Sequence, residues 1–159
     1  VGLMLDYIEQ CLENGWLSVG ISARQGNNQI KNRFYRQAAR MSSAYALNLV
    51  KARELKLRFD RVQVMQDFDL TLQMLALGYP NIVLTDWAWN QVPPGAPGGC
   101  TNYRTPEMQR EGALTLAKLW PGIVEPVVKD AKNETWWANR TDVRIAWRKA
   151  YPYEVENDV

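Results

Sequence analysis

The chain contains no histidine. That absence removes Ser-His-Asp and Cys-His catalysis, histidine metal sites and an imidazole base together. Any acid–base chemistry must therefore rest on carboxylates. Cysteine is nearly as scarce: Cys11 and Cys100 lie far apart without metal-ligand spacing, so both are expected as free thiols in a reducing compartment. The sequons Asn133-Glu134-Thr135 and Asn139-Arg140-Thr141 are then expected to go unused. No apolar run approaches the roughly 20 residues of a membrane-spanning helix, and no charged and then apolar leader opens the chain. A soluble, non-secreted protein is expected. Val1 is not an initiator methionine, so the sequence reads as the later part of a longer polypeptide or as a trimmed one.

What is present suits a globular protein. At 159 residues, 47% hydrophobic and 23% charged, the chain fits one domain with a real core. Its net charge of +2 conceals an uneven distribution, because Arg24 to Arg61 holds ten Arg and Lys against two acids. That local basic surface is either a solvated face or the seat of an anionic partner, a nucleotide diphosphate or a DNA backbone. Arg33, Arg36 and Arg40 are the DNA-binding candidates within it.

Periodicity orders the elements. Leu5, Ile8 and Leu12 recur at helical spacing until Asn14-Gly15, which predicts a helix over 3–14. Trp16 to Ile21 reads as a strand that delivers the turn-prone residues 22–28. A short helix is expected within Phe34 to Met41, a strand around Tyr45, Leu47 and Leu49, and a helix over Lys51 to Arg58. Val62 to Met65 reads as a strand, Asp67 to Leu77 as a helix stopped by Gly78-Tyr79-Pro80, and Asn81 to Trp89 as a strand. Gln91 to Asn102 is a long irregular loop, a kind that is usually functional or disordered. Pro106 introduces a helix over Glu107 to Trp120 with Met108, Leu114 and Leu119 inward, and Ile123 to Val128 and Val143 to Trp147 are the last strands expected. Alternating strands and helices predict a layered α/β fold.

The most informative stretch is Met65-Gln66-Asp67-Phe68-Asp69, two carboxylates where a helix begins. Free backbone N–H groups and the positive end of the macrodipole favour an ionised carboxylate there, as a general base requires. The plainer reading is that one Asp caps the helix. A third is that Asp67-Phe68-Asp69 holds Mg²⁺ or Mn²⁺ against a diphosphate. Ser22, Arg24, Asn27 and Asn28 form either a strand-end turn or a compact set of donors for hydroxyls and phosphate. Gly98, Gly99, Tyr103 and Arg104 form either a surface loop or a lid whose glycines let backbone approach a ligand. Trp87, Trp89, Trp136, Trp137 and Trp147 are expected mostly in the core, with one or two free to stack on a sugar or a flipped base.

Four blocks in order carry a family likeness: Val19 to Asn28, Met65 to Asp69, Gly98 to Thr105 and Thr141 to Lys149. Over nearly the whole chain they resemble the TET-associated glycosyltransferases of bacteriophages. The resemblance implies transfer of a sugar from a nucleotide-sugar donor, expected to be a UDP-sugar, to 5-hydroxymethylcytosine in phage DNA within the infected bacterial cytoplasm. It implies a GT-A-like mixed sheet flanked by helices, with this chain the C-terminal, acceptor-side part of a single glycosyltransferase domain. The nucleotide-binding half, with its own Asp-x-Asp for Mg²⁺ or Mn²⁺, would then lie upstream or on a second chain.

In that family pattern the acidic pair at the helix start faces the acceptor, and here its first position is Gln66. The resemblance therefore assigns catalysis to Asp67 and Asp69, with Asp67 the base. Arg24 and Arg104 would face the departing diphosphate alongside Ser22, Asn27 and Asn28, and Gly98, Gly99 and Tyr103 would form the acceptor loop. Two other readings stay open. One is a DNA- or nucleotide-binding module of the same fold without turnover, which activity with several nucleotide sugars would separate. The other is a transferase with a protein acceptor, separated by asking whether label enters DNA or polypeptide.

Overall fold

The computed structural model describes residues 2–23, 34–41, 44–90, 103–129 and 139–153. Helix α1, Gly2–Glu13, forms because Met4, Ile8, Cys11 and Leu12 make one apolar stripe. Leu5, expected on that stripe, lies one position off it and is exposed. The helix stops at Gly15, whose φ of +93° lets its own N–H and that of Trp16 bond the Leu12 and Cys11 carbonyls, each at 3.1 Å. Strand β1, Ser18–Ala23, follows, then the three-residue strands β2, Tyr35–Gln37, and β3, Tyr45–Leu47. Helix α2, Leu49–Glu54, is capped by the Asn48 side chain, which accepts from the Lys51 N–H at 3.0 Å. Helix α3, Gln66–Ala76, ends at Gly78 in the same left-handed geometry as Gly15. Strand β4, Ile82–Trp89, leads on to helix α4, Pro106–Leu119, strands β5, Val124–Val128, and β6, Thr141–Ile145, and the short helix α5, Trp147–Ala150.

Two expected elements are different in the structure. Phe34 to Met41 is not helical: Tyr35, Arg36 and Gln37 pair antiparallel with Leu84, Val83 and Ile82, so the neighbouring strand overrides local propensity. Val62 to Met65 is not a strand. Met65 has φ +68°, a left-handed turn that no ladder accommodates. The last strand also ends earlier than expected, at Ile145, and Trp147 begins α5.

The single domain expected from length is built as two compact units, Val1–Arg58, Leu70–Gln91 and Trp147–Val159 in one, Phe59–Asp69 and Val92–Ala146 in the other. The first unit is mixed α/β, with a four-stranded sheet in the order β2-β4-β1-β3. Its central pair β1–β4 is parallel and both edges are antiparallel. Because side chains alternate along a strand, Val19, Ile21, Ile82 and Leu84 meet α1 on one face. On the other face Val83 meets Leu70 and Met74 of α3. Both faces are covered, which is why the consecutive residues Ile82, Val83 and Leu84 of β4 are all apolar and buried. Trp87 packs against the α1 side of this core, whereas Trp89, expected in the core, is half exposed. Trp147 is partly buried, and Trp136 and Trp137 lie outside the described residues.

Two side-chain amides complete this unit where no ladder runs. Asn81, 0% exposed, accepts from the Ala39 N–H at 3.1 Å and donates to the Ala39 carbonyl at 2.9 Å. Gln73 does the same to Arg58, at 3.0 and 2.8 Å. Each amide mimics a peptide group, so main chain that has no strand neighbour is still paired.

In the second unit β5 and β6 form an antiparallel pair against which α4 packs. The buried stripe of α4 is Gln109, Gly112, Ala113 and Leu116, not the expected Leu114, which is exposed. Lys129 and Arg140 both ion-pair with the Asp142 carboxylate, at 2.7 and 2.8 Å.

Candidate functional site

The start of α3 is built from an unusual turn. Met65, buried and left-handed, offers its carbonyl to the N–H groups of both Phe68 and Asp69, at 3.0 and 3.1 Å. A non-glycine residue in that region stores on the order of 1–3 kcal/mol of strain, so the surroundings must hold it. Asp67 and Asp69 both fall in the first turn that follows. At about 100° per residue their side chains leave the helix about 200° apart. They therefore do not act as a pair on one atom.

Their surroundings differ accordingly. Asp67 is partly exposed, whereas Asp69 is 1% exposed. The Trp120 indole N–H donates to Asp69 Oδ1 at 2.7 Å, and Arg61 Nε lies 3.4 Å from Oδ2. The Arg61 guanidinium also sits over the Trp120 ring, 5.3 Å from its centroid. These three groups satisfy one another, which a buried charge requires.

Helix α4 delivers Trp120. Thr105 caps it by accepting from the Met108 N–H at 3.2 Å, and Pro106 occupies the first turn, where its missing N–H costs nothing. The Glu107 carboxyl stands exposed in the first turn. Its own backbone N–H and the Thr105 hydroxyl hold it below the usual range. Gly112 lets α4 approach the Val64 segment, because a Cβ there would stand 2.2 Å from Val64 Cγ2. At the far end Trp120 is pinned by its backbone: its N–H bonds the Leu116 carbonyl, and its own carbonyl accepts from Ile123 and Val124.

The remaining candidates are scattered. Ser22 is buried within β1, next to a register shift in the β1–β4 pairing, rather than on an open turn. Arg36 is partly buried on edge strand β2, and Arg40 is exposed in the same unit. Tyr103 is exposed and Arg104 partly buried just ahead of α4, in the unit that holds Asp67. Arg24, Asn27, Asn28, Arg33, Gly98, Gly99 and Cys100 lie outside the described residues. Cys11 is a free thiol, and burial pushes its pKa up.

The Asp67-Phe68-Asp69 triplet does not fit a divalent cation. Its carboxylates diverge, and the oxygens of Asp69 are already engaged by Trp120 and Arg61. Sequence reasoning missed Arg61 and Trp120 as members of this site, since only the fold brings Trp120 to a residue 51 positions away. Among the described residues no helix is long and apolar enough to cross a membrane. The chain matches no family model, no curated protein and no solved structure.

Proposed function

We propose that this protein is a GT-A-like glycosyltransferase that moves a sugar from a nucleotide-sugar donor to the hydroxymethyl group of 5-hydroxymethylcytosine in phage DNA. The observation that carries the reading is the division of labour at the start of α3. Asp67 is only partly buried in the first helical turn, whereas Asp69 is buried and bonded to the Trp120 indole. In a chain without histidine, a carboxylate so placed is the natural base.

In the reaction the acceptor hydroxyl oxygen attacks the anomeric carbon as Asp67 takes its proton. The bond from that carbon to the diphosphate oxygen breaks, and the nucleoside diphosphate leaves with the electron pair. Arg104, in the same unit as Asp67, and Arg24 supply positive charge for that leaving group. The basic residues around Arg36 and Arg40 hold the DNA backbone.

The test is incubation of the purified protein, with and without Mn²⁺, with 5-hydroxymethylcytosine DNA and a panel of labelled nucleotide sugars. Label should enter the DNA, and Asp67→Asn should lower turnover by about a hundredfold with little loss of stability. Label found only in polypeptide, or undiminished turnover in Asp67→Asn, would refute the reading.

A further inference from the structure

Asp69 presents a physical puzzle. Replacing a buried ion pair by packed apolar groups is often neutral or stabilising, so stability alone does not explain a carboxylate at 1% exposure. What a short, directional hydrogen bond supplies and an apolar contact does not is a fixed rotation of the helix about its axis. The indole N–H at 2.7 Å supplies that bond, and the guanidinium stacked at 5.3 Å closes the other side. The donor is itself immobile, because Trp120 is bonded through its backbone to Leu116, Ile123 and Val124.

The lever is short. Side chains reach roughly 5–6 Å from a helix axis, so a turn of about 20° moves the Asp67 carboxylate by about 2 Å. A misplacement of about 1 Å can cost a hundredfold in rate. The Met65 turn just before it is strained, which makes the first turn of α3 a segment that must be held.

We propose that Arg61, Asp69 and Trp120 are positioning residues that lock the first turn of α3 and so aim the Asp67 carboxylate at the acceptor hydroxyl. The proposal rests on the glycosyltransferase reading for what Asp67 does, but the lock itself is measurable without turnover.

Two kinds of measurement test it. Steady-state kinetics on 5-hydroxymethylcytosine DNA compare Trp120→Phe, Arg61→Gln, Asp67→Asn and the double variant Trp120→Phe with Asp67→Asn. Trp120→Phe and Arg61→Gln should each lower kcat tenfold or more (about 10¹–10²) with KM for DNA within about twofold. The double variant should be no slower than Asp67→Asn alone, since a residue acting through Asp67 has nothing left to aim. Losses that multiply would make Trp120 a general stabiliser and overturn the proposal. Amide exchange at Phe68 and Asp69 is the second readout and should quicken in Trp120→Phe. If the wild type transfers no sugar, the functional reading fails while exchange still decides the lock. Unchanged exchange at both amides would refute it. Should Trp120→Phe fold poorly, Arg61→Gln, at a partly exposed side chain, carries the same two readouts.

Discussion

Replacing Asn81 by Asp changes one NH₂ group to an oxygen, and the structure says what that exchange costs. The amide sits at 0% exposure, its Oδ1 3.1 Å from the Ala39 N–H and its Nδ2 2.9 Å from the Ala39 carbonyl. A protonated carboxyl reproduces this pattern, one oxygen accepting and the O–H donating. An ionised one sets a buried negative oxygen against a carbonyl oxygen. The folded protein therefore holds the new carboxyl neutral, with its pKa raised above the unfolded value of about 3.9. Such a group contributes its full stability below about pH 3.9 and loses it as pH rises toward the folded pKa, at about 1.4 kcal/mol per unit. At pH 7, about three units up, the cost reaches about 4 kcal/mol, a large share of a usual total of 5–15 kcal/mol. Urea unfolding of wild type and Asn81→Asp at about pH 5, 6 and 7 measures the difference directly. A difference that stays constant across that range would show that the carboxylate ionises freely in place and that the amide does not hold Ala39 as described.

The remaining predictions concern the second unit. Burial would raise the Asp142 carboxyl, but the Lys129 ammonium, the Val143 N–H and the Arg140 charge outweigh it and leave it below the usual range. The depressed group adds stability above its unfolded pKa and loses it as pH falls through the folded one. Asp142→Asn should therefore cost roughly 1–2 kcal/mol at pH 7 and nothing once the wild-type carboxyl is protonated, as paired denaturation curves at neutral and acid pH would show. Gly112→Ala places a Cβ 2.2 Å from Val64 Cγ2 and 3.3 Å from the Val64 carbonyl oxygen. Its overpacking cost of about 1–3 kcal/mol should exceed the helix-propensity gain of about 1 kcal/mol. Adding Val64→Ala should recover part of the loss, and a more stable Gly112→Ala single variant would contradict the close approach.

Much of the fold was legible because helices announce their ends. Asn14-Gly15 and Gly78-Tyr79-Pro80 stop α1 and α3 where expected, since a left-handed residue is what a helix end demands. Elements whose identity depends on a distant partner were not legible. Within Phe34 to Met41, Tyr35 to Gln37 becomes strand only because β4 lies beside it. The stripe of α4 was misplaced because Gln109, Gly112 and Ala113 carry no strong apolar signal, while Leu114 does. In the candidate site, helical spacing alone separates Asp67 from Asp69 by direction. It does not say which one turns inward, since every residue from Asp69 to Leu75 is buried and no face stands out. The partners Arg61 and Trp120 come from a loop and from the end of another helix, where no period links them to Asp69.

The parallel pairing at the centre of the first sheet has a consequence for the chain as it is made. Strand β1, with Val19 and Ile21 buried on one face, finds its central neighbour only when β4 has been synthesised, roughly 60 residues later. At about 5–20 residues per second that delay is roughly 3–12 s. Among the described residues the sheet partner already made is β3, which pairs with Ser18, Val19 and Gly20, while the Ile21 N–H bonds the Ala44 carbonyl just before it. During those seconds the other edge of β1 stays open on the nascent chain, so slowing elongation between residues 47 and 82 should raise its dependence on chaperones.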